Sequence, residues 1–375
     1  MSMEWEDLCG RLERRFLRVA EDSPCLDPWG EDDFNALAIE AFAWQFELCA
    51  PYRALCERRH VLPHSVRNWR EIPAVPAAAF KYFDFVSVPL EYAATEPAAV
   101  FHTSGTTQGS ERRGRHVVYR EALYRASFHH PFRLALLPDV ERLPVLSLIP
   151  SPNDASDSSL SWMAGMVVET FGEGFEWLVG ADGVWNPDAP QVLLEAARSD
   201  GPVLVLGTAL AFVHLVERLD REEIRLPDGS RIMETGGFKG ARRSIARADL
   251  YASIATHTGV PEERIVNEYG MTELLSQMYE PVMTEGADAQ GLHVGPPWLQ
   301  VRTLDPTSLE ERPEGEEGII AFFDLANLGS VSHVLTEDLG VIEGGRLRLL
   351  GRAPGSEPRG CSRAMDDLMA AAESR

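Results

Sequence analysis

The chain has 375 residues, 45% hydrophobic and 25% charged, enough apolar material for one large or two moderate globular domains with a sizeable core. Its formal net charge of −23 opposes phosphate backbones and anionic lipid, which argues against nucleic-acid and membrane-surface partners. No stretch reaches the ~18 apolar residues of a membrane span.

In chain order, residues 4–20 and 31–58 carry the amphipathic pattern of helices, the second opening on Glu31-Asp32-Asp33, a good helix start. Ile72-Pro73-Ala74-Val75-Pro76 must be extended or turn-like. From about residue 98, short apolar runs at 98–102, 145–149, 202–207, 231–234 and 264–267 read as buried strands. Helix-length segments lie between them at 120–136, 158–171, 188–199, 209–220 and 243–258. This alternation predicts an α/β layer structure with a largely parallel sheet. After residue 275 the pattern changes to short strands at 301–304, 318–323, 330–335 and 346–350, a small β-rich subdomain, and a short helix follows from Ser362. The expected division is an N-terminal helical region over 1–65, an α/β core over 66–350 with its β-rich part from about 280, and a mobile tail over 351–375.

Five cysteines, odd in number, irregularly spaced and without a CxxC pair, fit a reducing compartment. The charged, amphipathic N-terminus lacks the apolar core of a signal peptide, so a cytoplasmic location is the expectation. Only two of the 35 basic residues are lysines, Lys81 and Lys239, which leaves two candidates for any mechanism that needs one.

Three segments could carry chemistry. Thr103-Ser104-Gly105-Thr106-Thr107-Gln108-Gly109 follows a strand and offers hydroxyls and approachable backbone N–H groups, a plausible phosphate cradle without the Walker spacing. Arg112, Arg113 and Arg115 add positive charge nearby, although the same composition suits a plain polar turn. Asn267-Glu268-Tyr269-Gly270-Met271-Thr272-Glu273 leaves a strand with a ring that can stack on a base, a hydroxyl for an oxyanion and a carboxylate for Mg²⁺. By itself it also reads as a loop with an exposed acid. In Thr336-Glu337-Asp338-Leu339-Gly340, followed by Gly351-Arg352, a carboxylate could accept from two ribose hydroxyls, or the segment could be a turn joining two strands.

Taken together and in this order, the three segments resemble the adenylate-forming superfamily of acyl-CoA synthetases, firefly luciferase and peptide-synthetase adenylation domains. Within it the chain is most similar to the acyl-protein synthetases of the bioluminescence type. The stretches that carry the likeness are 72–81, the 103–109 loop, Gly114-Arg115-His116, Ser158-Ser159-Leu160-Ser161-Trp162-Met163, Glu234-Thr235-Gly236-Gly237-Phe238-Lys239-Gly240 and Arg359-Gly360-Cys361-Ser362. The resemblance covers roughly residues 65–370. It implies the large N-terminal domain of an adenylate-forming enzyme, α/β with parallel-sheet subdomains and a small β-rich subdomain.

Two departures stand out. Ser110-Glu111-Arg112 replaces the Pro-Lys that many members carry after the loop. No lysine follows Lys239, where typical acyl-CoA synthetases continue past Gly351-Arg352 into a small domain with a catalytic lysine.

The resemblance implies ATP and Mg²⁺ as cofactors and a carboxylic, fatty, acid as substrate. Ser104, Thr106 and Thr107 with the backbone of Gly105 and Gly109, next to Thr103, would take the phosphates. Thr272 would meet the α-phosphate, Glu273 would help hold Mg²⁺, and Asp338 would take the ribose hydroxyls, with Arg352 on ribose or phosphate. Gly236 and Gly237 would line the adenine pocket, with Tyr269 and Gly270 across the base. Lys239 is the candidate for the missing lysine's role. Cys361, beside Arg359 and expected just before a helix, is the candidate nucleophile that accepts the acyl group. Cys9, Cys49 and Cys56 fall in helical patterns and read as small core residues. Trp162, Met163 and Met166 read as core or as an acyl tunnel; His102, Ser158 and Ser159 are candidates for the carboxylate end. An acyl-CoA-reductase-like protein is the implied partner. A CoA ligase of the phenylacetate type, transfer to a carrier protein or amine, and a non-catalytic nucleotide- or partner-binding subunit remain as alternatives.

Overall fold

A computed structural model describes residues 2–18, 29–103, 113–219, 224–236, 246–352 and 359–373. The chain divides into two units. One is Met1–Pro131 with Met271–Gln277 and Leu292–Arg375; the other is Phe132–Gly270 with Met278–Gly291.

In the second unit the alternating apolar runs form a six-stranded sheet. Its order is Gly172–Trp177, Leu143–Ser147, Leu204–Thr208, Arg231–Thr235, Ile265–Tyr269 and Met278–Tyr279. The first five strands run parallel and the last pairs antiparallel with its neighbour, so the sheet is mixed. Parallel strands covered on both faces need unbroken apolar runs. Leu204, Val205 and Leu206 supply one, each 2% exposed or less. Burying each such side chain contributes about 1.5–3 kcal/mol. A Cβ at Gly207 would lie 2.8 Å from the Phe212 ring, so glycine lets the following helix, Ala209–Leu219, close on the strand end. The Ser158 hydroxyl accepts from Ser161 N–H and starts helix Ser159–Phe171. Gly259, at φ 75°, stops helix Arg247–Thr258. The strand Gly172–Trp177 escaped the sequence reading because it lies at the sheet edge, largely exposed, with two glycines and two glutamates in place of an apolar run.

The first unit opens with helix Ser2–Phe16. The single helix expected over 31–58 is two, Glu31–Leu48 and Ala50–Arg58, because Cys49 is extended and Pro51 cannot continue a helix. The expected strand at 98–102 does not join the parallel sheet. Ala99–His102 pairs antiparallel with Arg115–Val118 as a two-stranded hairpin around the 103–109 loop.

The β-rich part is a mixed six-stranded sheet ordered Leu292–His293, Arg346–Arg352, His333–Glu343, Gly318–Asp324 and Leu299–Leu304, with Val75–Pro76 added parallel to His333–Glu343. The strand expected at 330–335 starts later, at His333, and runs through Thr336–Gly340 to Glu343, so that segment is strand and not a turn. The register shifts between Leu339 and Gly340, where a Cβ on Gly340 would meet Leu347 at 2.8 Å. The last helix, Arg359–Glu373, packs against Ala50–Arg58, and Asp367 pairs with Arg58 and Arg59.

Candidate functional site

In the first unit, the hairpin closes tightly at the base of the 103–109 loop. Thr103 N–H donates to Gly114 O at 3.0 Å, and Gly114 N–H donates back to the Thr103 hydroxyl at 2.9 Å. A Cβ on Gly114 would stand 2.9 Å from the Thr103 methyl, so this closure requires glycine. Arg113 Nε donates to Thr103 O at 2.7 Å. Of the expected cradle, Thr103 is thus placed; Ser104, Gly105, Thr106, Thr107 and Gly109 lie outside the described residues, as do Gly237 and Lys239.

One residue from that neck reaches the second motif. His116, buried and paired across the hairpin with Phe101, places Nδ1 2.6 Å from the Thr272 carbonyl oxygen. Burial pushes the imidazole down to about 4, so the ring is neutral and its Nδ1–H donates to Thr272. Three further buried side chains grip the same stretch. Asp324 accepts from Leu275 N–H and Ser276 N–H at 2.9 Å each and from the Ser276 hydroxyl at 2.7 Å. Asn327 Nδ2 donates to Glu273 O at 2.7 Å, and the Ser127 hydroxyl donates to Leu275 O at 2.7 Å. The backbone that displays Thr272 and Glu273 is therefore fixed by interior hydrogen bonds, and Glu273 itself is only 7% exposed. This answers the loop reading of the motif: its acid is buried. Asp324, Asn327 and Ser127 were not singled out in the sequence, because each lies far along the chain from the motif it holds.

Asp338 and Arg352 face each other as a cross-strand pair. Arg352 Nε lies 3.7 Å from the Asp338 carboxylate and Nη1 3.5 Å from Glu337. The Thr336 hydroxyl accepts from Asp338 N–H at 3.0 Å and donates to Ile320 O, fixing the strand beneath the carboxylate.

In the second unit, Gly236 follows strand Arg231–Thr235 with φ 78°, and a Cβ there would meet nothing within 4 Å. Its backbone conformation, not crowding, selects glycine. The neighbouring strand ends at Tyr269, with Gly270 the next residue. Beside these strand ends, Thr235 hydrogen-bonds Glu268, whose carboxyl is pushed up to about 7, chiefly by burial. On the opposite face, Glu234 accepts from Tyr251 O–H at 3.0 Å and Asn267 Nδ2 at 2.5 Å, and burial raises it to about 6. Arg247 pairs with Glu280 at 2.5 Å in the same network.

Residues 29–370 match the family model described as acyl-protein synthetase, LuxE. The chain belongs to the LuxE family of acyl-protein synthetases. Two relatives are each named long-chain-fatty-acid–luciferin-component ligase and are each 22% identical to this chain. The one from Aliivibrio fischeri aligns over 82% of this chain and 79% of its own length; the one from Vibrio harveyi over 90% and 88%. Among solved structures, an open conformation of 2-hydroxyisobutyryl-CoA ligase superposes with TM-score 0.63 at 15% identity, covering 89% of this chain and 79% of that one. This likeness shows the fold, a mixed-sheet α/β architecture shared with that ligase. The chain spans about half the length (48%) of another match, ATP-bound MatB from Rhodopseudomonas palustris, at TM-score 0.49 and 20% identity, over 69% of this chain.

In this LuxE-family chain, Cys361 is the third residue of helix Arg359–Glu373, inside its first turn and not ahead of it as expected; its side chain lies outside the described residues. Gly360 anchors that turn: its N–H donates to Pro306 O at 2.8 Å, and a Cβ would stand 2.5 Å from Leu309. Cys9, Cys49 and Cys56 are buried, and burial raises all three thiols, Cys49 to about 11, so none is a ready thiolate. Met163 and Met166 are each 2% exposed within helix Ser159–Phe171. Among the described residues no helix is long and apolar enough to cross a membrane, and no cluster of three His, Cys, Asp or Glu could hold a metal.

Proposed function

We propose that this chain activates a long-chain fatty acid with ATP and then carries the acyl group on Cys361. In the first step a carboxylate oxygen attacks the α-phosphorus, the O–P bond to pyrophosphate breaks, and an acyl adenylate forms. In the second the Cys361 thiolate attacks the carbonyl carbon, AMP leaves, and a thioester remains.

The observation that carries this reading is the interior anchoring of Thr272 and Glu273 beside the neck of the 103–109 loop, in a chain of this family. Two anions must be brought together, which demands donors fixed before reaction. Thr272 would donate to the α-phosphate, Thr103 and the loop beyond it would hold the distal phosphates, and Asp338 with Arg352 would take the ribose. Gly236 and Gly237 would line the adenine pocket with Tyr269 and Gly270, and Lys239 would take the role of a catalytic lysine. Mg²⁺ suits this site: the protein offers one carboxylate, Glu273, and Mg²⁺ commonly takes one or two carboxylates with the rest of its shell from phosphates and water. It would neutralise phosphate charge. The place of Cys361 in the first turn of a helix supports its role as the nucleophile, because helix N-termini favour an anion. Delivery to an acyl-CoA-reductase-like partner completes the proposal.

The test is Cys361→Ser. ATP–pyrophosphate exchange with fatty acid should persist, while the mass increment of the acylated protein disappears. A wild-type protein that is never acylated yet makes acyl-CoA would end the cysteine relay.

A further inference from the structure

In the first unit, three buried polar atoms belong to residues that line one small cavity, among them His116, which anchors Thr272. They are His116 Nε2, Asn327 Oδ1 and Ser330 Oγ, on residues each 1% exposed or less. None has a hydrogen-bond partner among the described residues. Asn327 lies close enough to His116 to bear on its titration.

Donor accounting fixes what belongs there. His116 is neutral and spends its one N–H on Thr272 O, so Nε2 is a bare acceptor. Asn327 spends its amide hydrogens on Glu273 O at 2.7 Å and Val331 O at 3.1 Å, which makes Oδ1 an acceptor and rules out the flipped amide. The Ser330 hydroxyl holds one hydrogen. Two acceptors and one hydroxyl need a small, uncharged molecule with two donors and an acceptor. The cavity leaves about 10 Å³ to the centre of a water-sized sphere, and about that much holds one water.

We infer that a single buried water occupies this cavity. It donates to His116 Nε2 and Asn327 Oδ1, accepts from Ser330 O–H, and locks the His116 tautomer that holds Thr272. The site follows from burial and the hydrogen-bond accounting; its bearing on adenylation rests on the reading proposed above, with His116 a positioning residue.

The test combines a high-resolution crystal structure with histidine-selective ¹⁵N NMR of the full chain. Density within bonding distance of all three atoms is expected, with an Nδ1–H tautomer for His116 and an Nε2 that accepts a hydrogen bond. Ser330→Val should displace the water, move the Nε2 resonance and lower ATP–pyrophosphate exchange by roughly fivefold, whereas Ser330→Thr keeps all three properties. An Nε2–H tautomer, an occupant with the short contacts of a cation, or no density at all overturns the inference. Density and tautomer as expected in a protein with no exchange activity would leave the water site standing and refute the adenylation reading instead.

Discussion

Asp324 offers the sharpest test of how the Thr272 loop is held. Its carboxylate is fully buried and accepts four hydrogen bonds, from Leu275, Ser276 and Ala326 N–H and from the Ser276 hydroxyl. Asp324→Ala leaves three buried backbone donors without an acceptor. At about 1–3 kcal/mol each the loss is roughly 3–9 kcal/mol, comparable to the whole stability of a domain at about 5–15 kcal/mol. Asp324→Asn can keep its oxygen on Leu275 and Ser276, and the Ser276 hydroxyl can turn to accept from the new amide. Only Ala326 N–H is then lost, about 1–3 kcal/mol. Burial already raises the Asp324 carboxyl, so removing its charge returns part of that cost. Urea unfolding should therefore rank wild type above Asn and Asn well above Ala, and amide exchange at Leu275 and Ser276 should accelerate in the alanine variant first. Equal effects below about 1 kcal/mol, or unchanged exchange at those two amides, would refute the claim that this side chain fixes the loop.

Two more predictions come from other parts of the chain. Glu268 is raised to about 7 from a usual 4.5, so the folded state keeps a proton that the unfolded chain has released. This contribution to stability is therefore full below about pH 4.5 and is lost as pH rises to about 7, by up to ~3 kcal/mol. Glu268→Gln should flatten that slope, gaining on wild type at pH 8 relative to pH 5 in paired melting curves; an unchanged slope would assign it to other groups. Gly360→Ala sets a methyl 2.5 Å from Leu309, itself held at φ 61°, and should cost about 1–3 kcal/mol. Limited proteolysis should then release helix Arg359–Glu373 before the sheets open, and equal resistance to protease would count against the packing argument.

How far the sequence could be read depended on whether the signal was local. The central parallel strands announce themselves because both faces are buried, as in Leu204-Val205-Leu206. The edge strand Gly172–Trp177 carries no such run. The Cys49 break was legible in principle, since Pro51 two residues later forbids a continuous helix. Thr336–Gly340 could equally be read as a turn because it mixes polar residues with a glycine, whereas Gly340 is there to admit Leu347 at a register shift. Thr272 and Glu273 came from a contiguous motif. Their supports did not: Ser127 and Asp324 lie 148 and 48 residues from their partners, and Asp324-Leu325-Ala326-Asn327 has the local look of an ordinary loop. Only the fold assembles them.

The choice of anchors has its own logic. The seven residues Tyr269–Leu275 begin on a parallel strand and end in a segment held by side chains, so nothing in regular secondary structure positions Thr272. Chemistry on two anions tolerates displacements of only about 0.5 Å, and a loop reaches that precision only through locked supports. A charged group bonded to Thr272 itself would change with pH and attract the wrong counter-ion; the Asp324 carboxylate grips Leu275 and Ser276 further along. His116, neutral down to about pH 4, donates to the Thr272 carbonyl without adding charge, and the Ser127 and Asn327 contacts are neutral as well. The grip on Thr272 itself should therefore stay constant across the range in which Glu268 and Glu234 titrate, near 7 and 6. An activity that falls between pH 7 and 5 with the His116 tautomer unchanged would trace the loss to groups other than this anchor; a tautomer that switches in the same interval would show that the anchor itself gives way.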